Sequence, residues 1–198
     1  WCTEDLAFMR AIPNMTVLSP ADCTEVVKMT VAAAQMTGPV YIRLTGNLNV
    51  PIIYKEDYDF EIGKAITLKE GEDIALIATG LMVKEVMDAA AILEEQGISC
   101  SVINMHTIKP LDGACLEQCY KKHKLLVTIE EHNIVGGLGG AVAEHKAGYA
   151  NVPPQLFLGI TDEYKATGAR AFIMEEYGLT AVQLAETIKN KWNTIKLI

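Results

Sequence analysis

Three consecutive residues, Glu130, Glu131 and His132, place two carboxylates and an imidazole where a β-branched run gives way to a glycine cluster, Gly136, Gly137, Gly139 and Gly140. Carboxylates beside an imidazole can transfer protons, because their surroundings can push the pKa values apart. Side chains of neighbouring residues on an extended segment point opposite ways, so at most two of the three can face one pocket. The alternative use is structural, as strand-end polar groups that contact a partner subunit or cap backbone. The glycines also admit two readings. Their N–H groups could approach an anion at a helix start, or they could form a tight turn that lets the next helix lie close to a sheet. A dinucleotide fingerprint is not met. Gly137-Leu138-Gly139 is followed by Gly140, Ala141 and Val142, and the place of the acidic ribose partner reads Val152-Pro153-Pro154.

Arg43 sits inside an apolar run, where an unpaired charge is unfavourable. It should meet a carboxylate or an anionic ligand. His106 follows a second apolar run and either lines a cleft at a strand end or is a hydrogen-bonded structural histidine. His123 and His145 lie among charged residues of helical segments and are expected to be solvated. Cys115 and Cys119 are four apart on a helical segment and could share a face, but further metal ligands are not evident nearby. There is no G-x-S-x-G elbow, phosphate-binding P-loop, C-x-x-C pair or His-rich metal spacing. No catalytic residue and no metal ligand is assigned.

The elements that must position these groups alternate. A helix is expected over residues 3–11, a strand over 16–18, and a helix beginning at Ser19-Pro20, with Ser19 as cap, and running to Thr37. A strand follows over 40–44. Residues 46–60, with Gly46, Asn47, Asn49, Pro51 and an acidic cluster, read as a linker. Beyond it come a short edge strand (64–68), a continuous apolar strand (74–78), an amphipathic helix around Val83–Leu93 with Gly97 as its left-handed stop, and a strand at 101–105. A helix at 112–122, strands at 125–129 and 155–160, and a final helix from Thr180 complete the pattern. In that last helix Gln183 closes a capping box, and Ala181, Leu184, Ala185, Ile188, Trp192 and Ile195 form the buried stripe. This order implies an α/β fold with an open, mostly parallel sheet and helices on both faces.

The chain has 198 residues, half of them hydrophobic, and a net charge of −8. That charge argues against nucleic-acid partners. No apolar run approaches the roughly 20 residues of a membrane-spanning helix. Five cysteines without disulfide-framework density point to reduced thiols and a cytoplasmic setting. The Asn14-Met15-Thr16 sequon reads as chance in that setting. Trp1 opens what reads as the middle of a longer polypeptide.

Several segments, taken in order, are similar to one family. They are DLAFMRAIPNMTVLSPAD (Asp5–Asp22), GPVYIRL (Gly38–Leu44), VINMHTIKPLD (Val102–Asp112), EEHNIVGGLGGAVAE (Glu130–Glu144) and the TDEY…EEYGLTA pattern (Thr161–Ala181). Together they resemble the C-terminal section of transketolase, most closely its short split form. The resemblance implies that residues 1–45 end a thiamine-pyrimidine-binding domain, 46–60 link, and 61–198 form the transketolase C-terminal domain. It implies an enzyme that moves a two-carbon ketol unit between sugar phosphates with thiamine diphosphate and Mg2+, acting as a homodimer. An N-terminal cofactor-binding section or subunit would be its partner, and no cofactor would bind this portion alone. The family's activating glutamate and substrate-loop histidine belong upstream of Trp1, so this portion alone should be inactive. The phosphate-binding arginine that relatives carry just past the GPVYIRL strand is replaced by Thr45-Gly46-Asn47. The residues left as candidates are Arg43 and His106 for substrate, and Glu130, Glu131, His132, Gly136 and Gly137 for an interface or strand-end cluster. Related readings are 1-deoxy-xylulose-5-phosphate synthase, the beta subunit of a 2-oxoacid dehydrogenase, and a non-catalytic dimerisation or ligand-binding module.

Overall fold

The structure, a computed structural model, describes residues 2–45, 50–164 and 167–196. Gly46 and Asn47, the centre of the expected departure from the family, lie outside the described residues. The elements are α1 (Asp5–Ala11), β1 (Thr16–Leu18), α2 (Cys23–Ala34), β2 (Val40–Ile42), β3 (Ile66–Lys69), β4 (Ile74–Ala78), α3 (Met82–Glu95) and β5 (Cys100–Asn104). They continue with β6 (Thr107–Lys109), α4 (Gly113–Lys122), β7 (Leu125–Asn133), α5 (Leu138–Lys146), β8 (Gln155–Ile160), α6 (Arg170–Glu176) and α7 (Ala181–Lys196).

Five strands form the main sheet in the order β3-β5-β4-β7-β8. β4, β5, β7 and β8 pair in parallel and β3 joins β5 antiparallel at the edge. Alternation along each strand feeds two cores. Ile74, Leu76, Ala78, Leu125, Val127 and Ile129 face α3 and α7, together with Val86, Leu93, Leu184 and Trp192. Ala75, Ile77 and Leu126 face the other side with Leu116, Leu138 and Val142. Both faces of β4 are fully buried, which is why its sequence is a continuous apolar run. Each buried aliphatic side chain there contributes about 1.5–3 kcal/mol.

The first 45 residues lie across the carboxyl ends of this sheet. β1 pairs in parallel with β2 and antiparallel with β6, so a strand from the C-terminal half completes a second, three-stranded sheet, β2-β1-β6. Ser19 then crosses the ends of β4 and β5. Its N–H donates to the His106 carbonyl at 2.8 Å, and its carbonyl accepts from Gly80 at 3.3 Å. That commitment corrects the expected start of the second helix. Ser19 and Pro20 are non-helical, and Asp22 caps α2 instead, accepting from the Glu25 N–H at 2.8 Å.

Other boundaries move as well. α2 stops at Ala34, short of Thr37, and β2 ends at Ile42, although Arg43 N–H still donates to the Leu18 carbonyl. β7 runs four residues past Ile129 and includes Glu130–Asn133. β6 and α6 were not anticipated. The left-handed Gly97 (φ +75°), the strand at 155–160 and the Thr180–Gln183 box follow the sequence reading. His123 departs from it. It is only 6% exposed, held by the Ser101 hydroxyl and the Gly71 and Cys119 carbonyls, because α4 lays its basic end against the turn before β4.

Gly71 marks the tightest approach in that turn. A Cβ there would stand 2.2 Å from the Cys100 carbonyl carbon and 2.5 Å from the Ser101 nitrogen. Backbone cannot yield as a side chain does, so Gly71→Ala should lower unfolding free energy by about 3 kcal/mol or more, at the upper end for overpacking. Chemical denaturation at constant m-value would measure it. An effect within experimental error would refute the close approach.

Candidate functional site

The end of β7 organises the polar groups. Opposite β8 the register advances from Ile129↔Leu158 to Asn133↔Ile160, so four steps on one strand span two on the other. The intervening residues bulge from the ladder, a device that re-aims side chains. Within the bulge, Glu130 and His132 turn to one side and Glu131 to the other, as alternation requires.

Glu130 is buried against the glycine turn. Its two carboxylate oxygens accept from the Leu138 and Gly139 N–H groups at 2.6 and 2.8 Å, at the start of α5. The anion-receiving backbone anticipated for the glycines therefore exists, and an internal carboxylate fills it. Gly137 is what makes room, since a Cβ there would fall 1.9 Å from Glu130 Oε2. Burial pushes the Glu130 carboxyl up to about 7, against the pull of the two N–H donors. His132 Nδ1 stands 3.6 Å from Glu130 and donates to the Asn133 carbonyl at 2.7 Å. Its Nε2 accepts from the Ala7 N–H, so the ring is the neutral Nδ1–H tautomer. Burial lowers its pKa accordingly. Gly136 (φ +80°) completes the turn, and a Cβ on it would meet the Ala7 side chain at 2.7 Å. Arg10 ties α1 to the same turn through the Gly136 and Gly137 carbonyls and Glu144.

Glu131 faces a different environment. Arg170 Nε donates to its carboxylate at 2.9 Å, and the Glu131 carbonyl accepts from Arg43 Nη2 at 3.0 Å. Arg43 also pairs with Asp5 at 2.9 Å, and the Tyr41 hydroxyl donates to the same carboxylate at 2.7 Å. Arg43 thus has the carboxylate partner that its position demanded. These groups line a cleft of about 850 Å³ with Thr45 at its rim. The volume is ordinary for a small-molecule site. Its two guanidinium groups are balanced by two carboxylates, so the cleft can orient a polar ligand but offers no unpaired base. Arg43 and Glu131 meet here. Glu130, His132, Gly136 and Gly137 sit behind it in the sealed cluster.

His106 is elsewhere. It is fully buried at the end of β5, with Nδ1 2.9 Å from the Thr107 hydroxyl and its ring 4.6 Å from that of Phe60. Burial lowers its pKa to about 4. Near that strand end lies a cluster the sequence reading missed. Glu25, fully buried, accepts from the Ala21 N–H at 2.6 Å and from Asn104 Nδ2 at 2.9 Å. Asn104 also donates to the Tyr54 hydroxyl, and Asp22 accepts from the Ile53 and Tyr54 N–H groups. This set fastens the 50–60 segment to α2. The Asp22-x-x-Glu25 spacing of a capping box was the available signal. Asp5, Tyr41 and Arg170 also went unassigned, because their meeting depends on tertiary approach. Among the described residues, no group of three or more His, Cys, Asp or Glu side chains could hold a metal ion.

The two buried glutamates should respond unequally to amidation. Burial pushes Glu25 up to about 7 from 4.5. A raised folded-state pKa favours the fold fully below 4.5, and that contribution is lost as pH rises to 7. Glu25→Gln removes the loss, and a flip of the Asn104 amide, which now points Nδ2 at Glu25, would turn its partnerless Oδ1 toward the new NH2. The variant should gain about 3 kcal/mol on wild type between pH 4.5 and 8. Glu130→Gln gains the same relief from desolvation but sets an NH2 against one of the two α5 N–H groups, so it should fall about 1–3 kcal/mol below Glu25→Gln at pH 8. Denaturation of both variants and wild type across this range is the measurement, and parallel curves for wild type and Glu25→Gln would refute the assignment. His106, whose pKa is lowered, contributes with the opposite sign below 6.5, but it does so equally in all three proteins.

Comparison with known proteins agrees with this architecture. Residues 63–184 match the family model for the transketolase C-terminal domain, and residues 2–50 match the transketolase pyrimidine-binding domain. The chain is 43% identical over 188 residues to a Methanocaldococcus jannaschii protein named for the C-terminal section of transketolase, covering 93% of this chain and 58% of that one. It is 37% identical over 186 residues to 1-deoxy-D-xylulose-5-phosphate synthase of Idiomarina loihiensis, covering 94% of this chain but 29% of the relative. Among solved structures, a split-gene transketolase described as an inactive beta4 tetramer superposes with a TM-score of 0.91 at 36% identity, covering 97% of this chain and 62% of that one. The chain thus spans little more than half the length of the transketolase section and the split-gene structure it matches, and under a third of the synthase, and it belongs to the transketolase family, whose C-terminal section it matches.

Proposed function

We infer that this chain supplies the C-terminal part of a thiamine diphosphate-dependent enzyme that transfers a two-carbon ketol unit between sugar phosphates. In this reading residues 1–45 end the pyrimidine-binding domain, 46–60 link, and 61–198 form the C-terminal domain. An N-terminal section or subunit holds the cofactor and its Mg2+, and the active assembly is a homodimer.

The observation that carries the reading is self-occupancy. The anion-receiving start of α5 is taken by Glu130. The ends of β4 and β5, where open α/β sheets usually bind ligands, are crossed by Ser19. Among the described residues no group of three or more His, Cys, Asp or Glu side chains could hold a metal ion. In this reading the cofactor's metal and diphosphate are held by the rest of the assembly. What these residues do is hold α1, β1 and β2 at the rim of a polar cleft, with Arg43 and Arg170 facing a polar ligand brought by the rest of the assembly.

The relatives named 1-deoxy-D-xylulose-5-phosphate synthase support a second reading, for which pyruvate and glyceraldehyde 3-phosphate are the substrates to assay. Two assays separate the possibilities. The 198-residue chain with thiamine diphosphate, Mg2+, xylulose 5-phosphate and ribose 5-phosphate should show no turnover above background. Adding the N-terminal section should raise turnover by at least a hundredfold. Robust turnover by the chain alone would overturn the reading, and activity of the assembly only with pyruvate would favour the synthase. An assembly that dimerises without either activity would make the chain an association module.

A further inference from the structure

Cys115 and Cys119 stand one turn apart on α4, over the apolar cluster that contains Leu116 and Tyr120. Both thiols are free; Cys119 is 3% exposed and Cys115 is half-buried. Each thiol is the other's main electrostatic neighbour, which holds that of Cys115 below its ordinary range and pushes that of Cys119 above it. Cys115 is the third residue of the ten-residue helix α4, in the turn where the helix dipole favours a thiolate. The charged groups around the pair are already engaged. Asp112 accepts from the Cys115 and Ala65 N–H groups, and Glu70 pairs with Lys122 at 2.6 Å.

The geometry excludes one outcome and favours another. Side chains four apart on a helix have Cβ atoms about 5–6 Å apart, whereas a disulfide needs about 3.5–4.5 Å. The pair cannot oxidise to itself while α4 stays helical. It can close on an atom that accepts one sulfur from each side. No third thiol or imidazole completes a metal set among the described residues.

We propose that Cys115 and Cys119 form a dithiol site for a trivalent arsenical, bridged across one turn of α4. Cys115 attacks first and Cys119 follows. Two S–H bonds are exchanged for two As–S bonds, both protons leave on the oxide oxygen as one water, and arsenic remains trivalent. No oxidant or reductant is consumed. The second bond forms within the molecule, so the bridged adduct outlasts a one-thiol adduct by about 10²–10⁴-fold, the usual gain from an intramolecular second contact.

Phenylarsine oxide tests this on the 198-residue chain. After one equivalent and a wash with excess 2-mercaptoethanol, intact mass should show one phenylarsenic group per chain, mapping to the α4 peptide. 2,3-Dimercaptopropanol should remove it. Cys115→Ser and Cys119→Ser should each retain at least tenfold less, while Cys2→Ser and Cys23→Ser match wild type. Circular dichroism checks that each variant is folded, and Cys115→Ser, at the half-buried position, carries the test if Cys119→Ser unfolds. An adduct that washes off wild type, survives unchanged in folded Cys115→Ser, or maps to another cysteine would overturn the proposal.

Discussion

Extended backbone continuing through Glu130, Glu131 and His132 is the constraint on which the rest of the arrangement depends. Were the chain to turn after Ile129, the three polar groups would scatter over a loop. Because it stays extended and bulges from β8, alternation sends Glu130 to the glycine turn and Glu131 to the arginines. One segment thereby starts α5, anchors α1 through His132, and fixes both guanidinium groups of the cleft. The favourable term behind it is electrostatic. A carboxylate meets two N–H groups at the positive end of a helix inside a low-dielectric interior. The opposing term is desolvation, visible in the raised pKa of Glu130. Gly137 decides the balance, since any side chain there would push the carboxylate off its donors.

The same economy of space explains why an α/β domain with good strand-end geometry offers so little chemistry of its own. Two generic ligand positions exist in this fold, a helix start fed by a glycine turn and the carboxyl ends of the parallel strands. Both are taken by the chain itself, by Glu130 and by Ser19. Among the described residues open space remains in the rim cleft between residues of the first 45 and those of β7 and α6, and in a second cleft of about 530 Å³ at the carboxyl end of β8, between Thr3 and Asn133, Ile160 and Ile173. Both lie where residues of the first 45 meet those of the C-terminal half.

Much of the sheet was legible because its signals are local. The unbroken apolar run of β4 and the helical period of α3 depend on sequence alone, as do the left-handed glycine after α3 and the capping box before α7. The misreadings have a common cause. Ser19-Pro20 is a strong helix-start signal, but the Ser19 backbone is claimed by Gly80 and His106, more than 60 residues away. His123 looked solvated because its sequence neighbours are charged, yet its contacts come from Ser101 and Gly71. Arg170 belongs to a helix with no clear period, and Glu131 is its partner only in three dimensions. The glycine cluster was read as either a turn or an anion cradle; the structure has both, with Glu130 as the anion. Choosing Glu130 over an external phosphate requires knowing that the strand bulges.

Buried polar groups are a poor way to gain stability, since aliphatic replacements of matched shape often do as well or better. Their presence at three separate strand ends therefore calls for another reason. The two cores are aliphatic and would tolerate small slides of the first 45 residues over the sheet ends. Asp22 with the 50–60 segment and Glu25 with Asn104 each allow only one arrangement, because a displaced partner would leave a desolvated carboxylate unmet, and Arg43, held by Asp5, donates across to the Glu131 carbonyl of β7. These contacts join residues near the amino end to β5, β7 and the 50–60 segment. They hold the rim of the cleft in one register against the sheet. A cleft whose walls come from distant parts of the chain keeps its shape only if those walls meet to within hydrogen-bond tolerance. Apolar packing alone would not enforce that precision.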